Sequence, residues 1–419
     1  MPKDPPYSLI VVGAGAAGCF AALEASRDSE GAVLLVDAGA RPLNKVRISG
    51  GGRCNVTHAC FAPRDLTENY PRGGRELRGP FHKFQPRDTI TWFASRGVEL
   101  KAEPDGRMFP TTDTSQTIID CFLQNLENQK VPLHLRQRIR SLQRDVDGFF
   151  ILERDQEAPL KTKHCLLAPG SLASSPLRDS LKTLGHTLTE TVPSLFTFRI
   201  DDPELHALAG VSVSEATVAV PGFARKQSGP VLITHWGLSG PAVLKMSAWA
   251  ARYLHGKDYH FICTVRWIPD NPEDIRQKLQ EQRKNHPRRR VQADCPFALP
   301  RRLWEYLCRR ANLEDCPWSQ LPAKSAKQLI TDLSGQPFSV KGKSTFKEEF
   351  VTCGGVNLRE VDFRTMESRR CQNLFFAGEC LDIDGVTGGF NFQAAWTTGY
   401  LAGQTLRTRL EREAVDLRE

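Results

Sequence analysis

Three glycines near the amino terminus have the spacing of a dinucleotide-binding turn. Gly13, Gly15 and Gly18 directly follow an uninterrupted apolar run and precede a helical stretch. In such a turn the first glycine permits the tight bend, the second lets the backbone approach a pyrophosphate, and the third allows the helix to pack on the strand. The helix would direct its first N–H groups, at Ala16 and Ala17, toward the phosphates. This stretch therefore predicts a bound dinucleotide.

Asp37 takes the place of the acidic residue in this motif. It ends a second apolar run, 33–36, about 20 residues beyond the glycines, and Ala38 follows it in the same candidate contact. A carboxylate there accepts hydrogen bonds from ribose hydroxyls and repels a 2′-phosphate, so FAD or NAD fits better than NADP. A glycine turn without a ligand would not explain the full order of strand, glycines, helix, strand and acid. A secretory signal would need a more basic start than MPKDPPYS.

A second candidate contact region is rich in glycine. Its residues are Ser49, Gly50, Gly51, Gly52, Arg53, Cys54 and Asn55, with Lys45 shortly before them. Glycine loses more backbone freedom on folding than any other residue, so three in succession indicate that something approaches this backbone closely. We expect a loop along a planar cofactor, with Arg53 and Asn55 as donors; the alternative is an irregular turn. Cys54 could be a thiol activated by Arg53, but a packed structural thiol is favoured.

A third candidate region lies near the carboxyl terminus. The run 374–376 predicts a buried strand, and the residues after it that could contact a cofactor are Gly378, Glu379, Asp382, Gly388, Gly389, Phe390 and Asn391. A Glu after such a strand can accept hydrogen bonds from ribityl or ribose hydroxyls. The glycines would open a helix over 394–406 and direct N–H groups at the N1/O2 edge of a flavin, where negative charge collects on reduction. The alternative is an unrelated strand–turn–helix unit that closes the sheet.

The stretch between the second glycine cluster and the middle of the chain supplies further elements. Periodicity predicts helices over 86–96 and 114–129, a turn with an apolar tail at 105–110, and strands over 131–142, 148–152 and 163–167. We expect a backbone contact to an adenine near Ile139. The chain would return to the nucleotide at Ala168 and Gly170, after the last of these strands.

The middle of the chain has a different pattern, with short strands in succession. These are expected over 196–200, 211–220, 231–234 and 259–267, with a helix over 242–253, a charged helical stretch over 272–334 and a returning strand at 337–340. His235 could donate a proton in a cleft, but beside a Trp a hydrogen-bonded structural role is favoured.

Composition narrows the class of protein. The 419 residues carry a net charge of +8, and arginine runs stand at 288–290, 301–302 and 309–310. Such runs could contact nucleic acid, but solvated helix faces are favoured. The twelve cysteines form no C-x-x-C pair and no zinc spacing, so we expect reduced thiols and no metal site. No stretch is long enough for a membrane span, which predicts a soluble, cytoplasmic protein without membrane insertion.

Several motifs together resemble a known family. They are VVGAGAAG, ISGGGRCNVTH, DGRMFP, THWGLSGPAVL, VTCGGV and FFAGECLDIDGVTGGFNFQAAWTTGYLAG. In this order and spacing they resemble the bacterial FAD-binding flavoproteins that include aminoacetone oxidase and the BaiN/RdsA-type NAD(P)/FAD-dependent oxidoreductases. The resemblance covers nearly the whole chain.

The resemblance implies an α/β protein with a discontinuous Rossmann-like FAD-binding domain, an inserted β-barrel-like domain and a small helical subdomain. The implied boundaries are 1–192 and 346–419 for the FAD-binding domain, 193–268 and 335–345 for the β domain, and 269–334 for the helical subdomain. It also implies that FAD is held non-covalently by the three glycine-rich regions described above.

The sequence departs from the family pattern at several positions. Asp37 stands where the family usually has Glu, His58 where it has Asn, Pro169 where it has Thr, and Cys353 where it has Ala. A glycine-rich segment of the family is replaced at 169–185, which alters the expected cover of the cofactor and of the substrate pocket.

These observations predict an FAD-dependent oxidoreductase in which a hydride passes between flavin N5 and a small organic substrate or NAD(P)H. A second GxGxxG is lacking, so NAD(P)H would visit only transiently. Two alternatives remain open: an FAD-dependent RNA-modifying enzyme, although nucleic acid is the less favoured partner, and a non-catalytic flavin-binding redox sensor. The sequence assigns no catalytic acid or base, no substrate and no oligomeric state.

Overall fold

The computed structural model describes residues 7–27, 32–155, 157–343 and 351–416. The chain divides into two compact units. Unit 1 comprises Met1–Pro193 and Lys347–Glu419, and unit 2 comprises Ser194–Phe346. Unit 1 is therefore built from both ends of the chain.

The first segment of the chain alternates strands and helices. Its elements are β1 (Tyr7–Val12), α1 (Ala16–Ser26), β2 (Val33–Val36), α2 (Asn44–Ile48), β3 (Thr57–His58), α3 (Pro63–Thr67), α4 (Gly74–Lys83), α5 (Pro86–Ala94), β4 (Leu100–Ala102), β5 (Arg107–Pro110), α6 (Ser115–Asn128), β6 (Leu133–His134), β7 (Ile139–Arg144), β8 (Phe150–Arg154), β9 (Leu160–Leu167), α7 (Leu177–Thr183) and β10 (Leu188–Ser194).

The middle segment begins and ends with strands. Its elements are β11 (Phe198–Arg199), α8 (Pro203–His206), β12 (Ser212–Ala219), β13 (Gln227–Thr234), β14 (Gly237–Ser239), α9 (Pro241–Trp249), α10 (Ala251–His255), β15 (His260–Arg266), α11 (Pro272–Asn285), α12 (Arg301–Arg310), α13 (Ala323–Gly335) and β16 (Gln336–Lys341). The last segment contains β17 (Val351–Val356), β18 (Val361–Asp362), β19 (Glu367–Ser368), β20 (Leu374–Phe376) and α14 (Phe390–Asp416).

Unit 1 is organised around a sheet with a parallel centre. Its path is β18-β19-β20-β9-β1-β2-β6, and β7 and β8 extend it antiparallel from β9, which makes nine strands among the described residues. Strand β1 pairs in parallel with β2, from Leu9↔Val33 to Val12↔Val36, and with β9 on its other side. The apolar residues of β1 are buried because helices cover a parallel sheet on both faces.

Helices α1 and α14 pack closely against each other beside this sheet. Small residues permit the approach: a Cβ added to Gly399 would lie 2.6 Å from Ala17 O, and one added to Gly403 would lie 2.6 Å from Glu24 Cβ. Buried Glu24 accepts hydrogen bonds from Trp92 Nε1 at 2.8 Å and from Gln404 Nε2 at 2.7 Å. The two ends of the chain thus share one core.

Unit 2 contains a six-stranded antiparallel sheet in the order β11-β14-β13-β12-β15-β16. The first and last strands of this order also meet, through a bridge between Phe198 and Lys343 and a hydrogen bond from Arg199 N–H to Gly342 O. The sheet is therefore closed in the manner of a barrel. Helices α11, α12 and α13 lie in sequence between β15 and β16.

Several elements differ from the sequence expectation beyond small shifts of their ends. The strand expected over 131–142 is divided into β6 and β7, because Arg136 between them has a left-handed backbone with φ of 58°. The turn with an apolar tail at 105–110 contains strand β5, and the helix expected over 242–253 is divided into α9 and α10. Helix α14 begins at Phe390, four residues before the expected start. Among the described residues, every helix is too short or too polar to cross a membrane.

Candidate functional site

The candidate site residues gather at the carboxyl edge of the parallel sheet. Because β1, β2, β9 and β20 run parallel, the residues that follow them meet at one edge. Ala168 N–H donates to Val12 O at 2.8 Å, and Ala377 N–H donates to Leu167 O at 3.0 Å. Gly13, Gly170 and Gly378 each come one to three residues after a strand end at this edge. In open α/β sheets this edge is where ligands bind.

The three glycines of the first turn differ in what surrounds them. Gly13 has φ of +107°, and an added Cβ would lie 2.2 Å from Ala168 O. A Cβ on Gly18 would lie 1.8 Å from Gly13 O, so this position is required by the packing of α1 on the turn. A Cβ on Gly15 would have no atom within 4 Å. The protein itself therefore requires Gly13 and Gly18, whereas Gly15 borders open space at the start of α1.

Asp37 fixes the shape of this turn. Its Oδ2 accepts from Ala14 N–H at 2.7 Å and its Oδ1 from Gly39 N–H at 2.6 Å. The side chain is only partly buried, and a carboxylate has about four acceptor positions, so capacity for ribose hydroxyls remains. Ala38 beside it is exposed. The ribose contact of Asp37 and Ala38 stays a prediction.

The second glycine cluster forms a bare backbone surface. Gly50, Gly51 and Gly52 have φ of +58°, +68° and +83°, a left-handed succession that other residues rarely adopt. Added Cβ atoms on Gly51 and Gly52 would meet nothing within 4 Å. Ser49 supports this loop, since its Oγ donates to Val46 O at 2.9 Å. The loop can therefore accept a flat group directly against its backbone.

Two side chains next to this loop have partners that the sequence did not indicate. The Arg53 guanidinium lies 2.7 Å from Glu103 Oε1 and 4.0 Å from the centre of the Phe109 ring. The guanidinium has five N–H donors, so its contact with the cofactor stays a prediction. The Asn55 amide, oriented to satisfy both partners, donates to Thr57 O at 3.1 Å and accepts from Gly389 N–H at 3.0 Å. Asn55 thus ties the glycine loop to the residues that open α14.

Cys54 is a packed thiol. Its side chain is fully buried, and this burial raises the pKa of the thiol to about 12. We expect native protein at pH 8 to leave Cys54 unmodified by iodoacetamide, because little thiolate forms and the reagent has no access. The partly exposed thiols of Cys60, Cys295 and Cys316 should react before it, and peptide mass spectrometry would show the order. Early labelling of Cys54 would contradict this packing.

Glu379 joins three distant parts of the chain. Its Oε1 accepts from Thr352 N–H at 3.0 Å, and its Oε2 forms an ion pair with Lys45. Thr352 Oγ1 also contacts Ser171 Oγ at 2.7 Å, so the altered segment 169–185 reaches this cluster. The structure therefore brings Lys45, Glu379 and the residues after β9 together, as expected of a shared site.

The loop before α14 is held by its own side chains. Asn391 accepts from Gly385 N–H at 2.8 Å and donates to Gly385 O at 2.9 Å, so its amide is engaged within the loop. Asp382 Oδ1 accepts from Gly354 N–H at 2.9 Å. Phe390 stacks on His58, with ring centres 4.7 Å apart. Asp382 and Asn391 therefore shape the loop.

The segment 69–73 holds the same loop from outside, and the sequence analysis missed it. Arg72 Nε donates to Asp384 Oδ1 at 2.5 Å, and Asp384 is fully buried. Val386 N–H donates to Asn69 O at 2.8 Å, and Tyr70 Oη donates to Phe390 O at 2.6 Å. Burial raises the pKa of Tyr70 well above its usual value, which keeps the hydroxyl protonated as a donor. These partners are more than 300 positions apart, so no local signal could have indicated them.

Two other residues expected in the site, Ile139 and His235, lie outside the contacts described above. Ile139 begins β7 and pairs with Arg154. The backbone that contacts Asp37 belongs instead to residues shortly before Ile139. Asp37 N–H donates to His134 O at 2.9 Å, and Gln137 N–H donates to Asp37 O at 2.7 Å. The adenine contact at Ile139 stays a prediction. His235 in unit 2 is exposed at the tip between β13 and β14, so the structural role favoured for it is not supported.

The arginine runs of unit 2 are largely engaged by neighbouring acids. Arginine-to-carboxylate distances are 3.2 Å for Arg289 to Asp294, 2.9 Å for Arg290 to Asp315, 2.7 Å for Arg301 to Glu305 and 3.2 Å for Arg310 to Asp332. This agrees with solvated, salt-bridged faces better than with a nucleic-acid patch.

Among the described residues, no group of three or more His, Cys, Asp or Glu side chains is arranged to hold a metal ion.

A family match covers almost the whole chain. Residues 7–405 match the family described as "HI0933-like protein Rossmann domain". The chain belongs to this family. The expected family resemblance and the α/β Rossmann fold class are therefore confirmed.

Curated relatives span the full length. The chain is 31% identical to a ribosomal RNA dihydrouridine synthase of Escherichia coli (strain K12), over 96% of this chain and 98% of the relative. It is 28% identical to a 3-dehydro-bile acid delta(4,6)-reductase of Clostridium scindens, over 95% of this chain and 98% of the relative. Both relatives are named as enzymes.

Solved structures share the fold at low identity. A 3-ketosteroid delta1-dehydrogenase from Sterolibacterium denitrificans has a TM-score of 0.52 at 11% identity, covering 97% of this chain and 100% of its own. A flavocytochrome c3 fumarate reductase in the open conformation has a TM-score of 0.51 at 16% identity, covering 98% and 79%. Together with the family, this fold supports an enzyme of the oxidoreductase class with FAD as its cofactor.

Proposed function

We propose that this protein holds FAD non-covalently along the carboxyl edge of the unit 1 sheet and uses it to reduce a carbon–carbon double bond conjugated to a carbonyl. The observation that carries the proposal is the bare backbone of three glycines near this edge: added Cβ atoms on Gly15, Gly51 and Gly52 would meet no protein atom within 4 Å. A space lined by bare backbone, where the family has a nucleotide-binding domain, is what a dinucleotide cofactor needs.

The residues present fit FAD at each part of the cofactor. Helix α1 begins without a side-chain cap, so its first N–H groups, including those of Ala16 and Ala17, remain available to a pyrophosphate. Asp37 would accept from the adenosine ribose, and Glu379 would accept from ribityl hydroxyls beside Lys45. The positive-φ run Gly50–Gly52 would lie along the ring.

The amino-terminal end of α14 would lie near the flavin ring, the reactive part of the cofactor. Gly388 and Gly389 precede this long helix, and its amino terminus carries partial positive charge. Such a terminus stabilises negative charge at a nearby flavin edge. Asn55 and Asn391 hold the glycines and the loop in place, so the N–H groups would be oriented before substrate arrives.

The names of the two relatives favour one reaction class. Dihydrouridine is uridine whose C5–C6 double bond, conjugated to a carbonyl, has been reduced, and a delta(4,6)-reductase acts on double bonds of a bile acid. Once reduced by a donor such as NADH or NADPH, the cofactor would supply the hydride for such a reduction. The protein would orient the double bond, exclude water and deliver a proton to the neighbouring carbon.

Uridine in ribosomal RNA is the substrate that we favour. The full-length 31% identity to a ribosomal RNA dihydrouridine synthase supports it. A small enone such as an unsaturated bile acid is the second candidate, supported by the full-length 28% identity to the bile acid reductase. Four of the seven arginines in the unit 2 runs pair with acids, which weakens these runs as a reason for RNA, but the support from the relatives is independent of them.

Anaerobic stopped-flow spectroscopy of the purified holoprotein tests both the donor and the substrate. We expect NADH or NADPH to bleach the flavin absorbance, and a uridine-containing ribosomal RNA fragment to restore it with a gain of two hydrogens in the RNA. The same fragment with its uridines already reduced is the matched control and should leave the flavin bleached. Reoxidation by an unsaturated bile acid alone would assign the second candidate. Reoxidation by neither would contradict the proposed reaction class.

A further inference from the structure

Two adjoining cavities in unit 1 are lined by arginines that do not form a run in the sequence. The first, about 330 Å³, is lined by Arg359, Arg364 and Arg369. The second, about 430 Å³, is lined by Arg75 and Arg78. Glu76 lines both cavities, so they lie side by side. We call these five arginines and the two cavities the arginine groove.

The groove carries positive charge that the described part of the protein leaves available. Arg75, Arg78 and Arg359 are exposed, and none of them forms an ion pair with any residue in the described ranges. Arg75 and Arg78 are three positions apart on α4, so they lie on the same side of that helix. The two linings also contain three acids, Glu68, Glu76 and Asp362, so five arginines against three carboxylates leave the groove a net charge of +2. Exposed guanidinium groups without ion-pair partners are suited to a polyanion.

The other two arginines remain largely solvent-accessible although they share a carboxylate. Arg364 lies 2.8 Å from Asp362 and its side chain is 80% exposed, while Arg369 lies 3.6 Å from the same carboxylate. The Arg364 guanidinium holds the pKa of Asp362 at about 2. With Arg359 and Glu76 counted as well, the first cavity is lined by three arginines and two acids, which leaves one net positive charge at this end of the groove.

The groove adjoins the loop that precedes α14. Tyr70 and Gly73 line the second cavity. Tyr70 donates its hydroxyl to Phe390 O, and a Cβ added to Gly73 would lie 2.5 Å from Ile383 Cγ1. The first cavity is lined by Leu358, two residues after Val356, which bridges Leu381 of the same loop. A polymer bound in the groove would therefore pass close to the candidate cofactor site.

We propose that the arginine groove binds the phosphodiester backbone of single-stranded RNA and so places the target nucleotide at the candidate cofactor site. The inference rests on the RNA substrate favoured above and adds where that substrate is held. Arginine pairs with phosphate bidentately and independently of sequence, so these contacts would position the RNA without selecting the base. Selection of the uridine would take place at the cofactor.

The test compares two triple variants of the holoprotein that remove equal charge. The groove variant is Arg75→Gln, Arg78→Gln and Arg359→Gln. The matched control is Arg288→Gln, Arg289→Gln and Arg290→Gln, in the exposed run of unit 2. Fluorescence anisotropy with a labelled single-stranded ribosomal RNA fragment, over about 50 to 200 mM salt, would give the affinity and its salt dependence.

We expect the groove variant to bind this RNA at least about 10-fold more weakly than wild type. The slope of log affinity against log salt should fall by about 2, since three contacts each contribute about 0.7 for a single strand. The control should keep the wild-type slope. Both variants should keep wild-type flavin content and the wild-type rate of bleaching by the nicotinamide donor.

Two kinds of result would overturn the inference in distinguishable ways, and a third calls for a second variant. If the groove variant binds like wild type, or if the control loses as much affinity, the groove is not the RNA surface, while RNA-dependent reoxidation of the flavin can still stand. If wild type neither binds the fragment nor is reoxidised by it, the RNA substrate of the proposed function is wrong, and the groove loses its ligand. If the groove variant has lost its flavin, the comparison is repeated with the single variant Arg359→Gln, because Arg359 lies outside α4. The slope of log affinity against log salt should then change by about 0.7.

Discussion

Gly15→Val is expected to give a folded protein that no longer retains FAD. Gly15 has an extended backbone with φ of −87° and ψ of −168°, which any residue can adopt, and a Cβ there meets no protein atom. The added side chain would instead fill the space that we assign to the pyrophosphate. We expect the affinity for FAD to fall at least 100-fold, about 3 kcal/mol, measured by titration of the apoprotein with FAD.

Two other glycines make this result interpretable. Gly79→Val, at an exposed position of α4, also places a side chain where nothing lies within 4 Å and should keep the wild-type flavin. Gly18→Val would force a Cβ to 1.8 Å from Gly13 O and should lower the thermal stability of the apoprotein, which Gly15→Val should not. A Gly15→Val protein with wild-type FAD affinity would show that the pyrophosphate lies elsewhere.

Arg72→Leu is expected to destabilise unit 1 by about 3 to 5 kcal/mol, because it leaves the fully buried carboxylate of Asp384 without its counter-ion. The loop that opens α14 should loosen at the same time, since Asp384 lies within it. We would measure the urea midpoint of unfolding by circular dichroism and the midpoint of flavin release by its fluorescence. Both midpoints should fall together.

An exposed pair and a double variant provide the comparison. Arg140 and Asp155 form an ion pair in the same unit, with side chains 56% and 40% exposed. Arg140→Leu should cost at most about 1 kcal/mol, as exposed pairs usually do. Arg72→Leu combined with Asp384→Leu should recover much of the lost stability, since no buried charge is left unpaired. If Arg72→Leu costs no more than Arg140→Leu, Asp384 is not buried as described.

The candidate cofactor region was predictable at the positions where the backbone conformation or its close packing requires a glycine. Gly18 is needed because a Cβ there would collide with Gly13 O of the same turn, and the φ of +107° at Gly13 is one that other residues rarely adopt. The positive φ of Gly50 to Gly52 follows equally from a local run of glycines. A sequence shows such requirements directly, because only one residue type satisfies them.

The start of α14 was less predictable because tertiary contacts override weak local preferences. The aromatic residues Phe390 and Phe392 have only moderate helix propensity, so the pattern suggested a later start. In the folded protein Tyr70 binds Phe390 O and Asn391 binds the Gly385 backbone, and these contacts extend the helix to the end of the glycine loop.

The sequence alone determined the strand–glycine–helix order, the acid at Asp37 and the glycine runs, since these depend on residues close together in the chain. The tertiary structure decided which charged side chains remain available to a ligand and which residues hold the loop before α14. Arg53 and four arginines of the unit 2 runs are engaged by acids, whereas Arg75, Arg78 and Arg359 line a groove. Arg72 reaches Asp384 across 312 positions. Ion pairing acts through space at a few ångströms, so composition and spacing along the chain cannot reveal the partner.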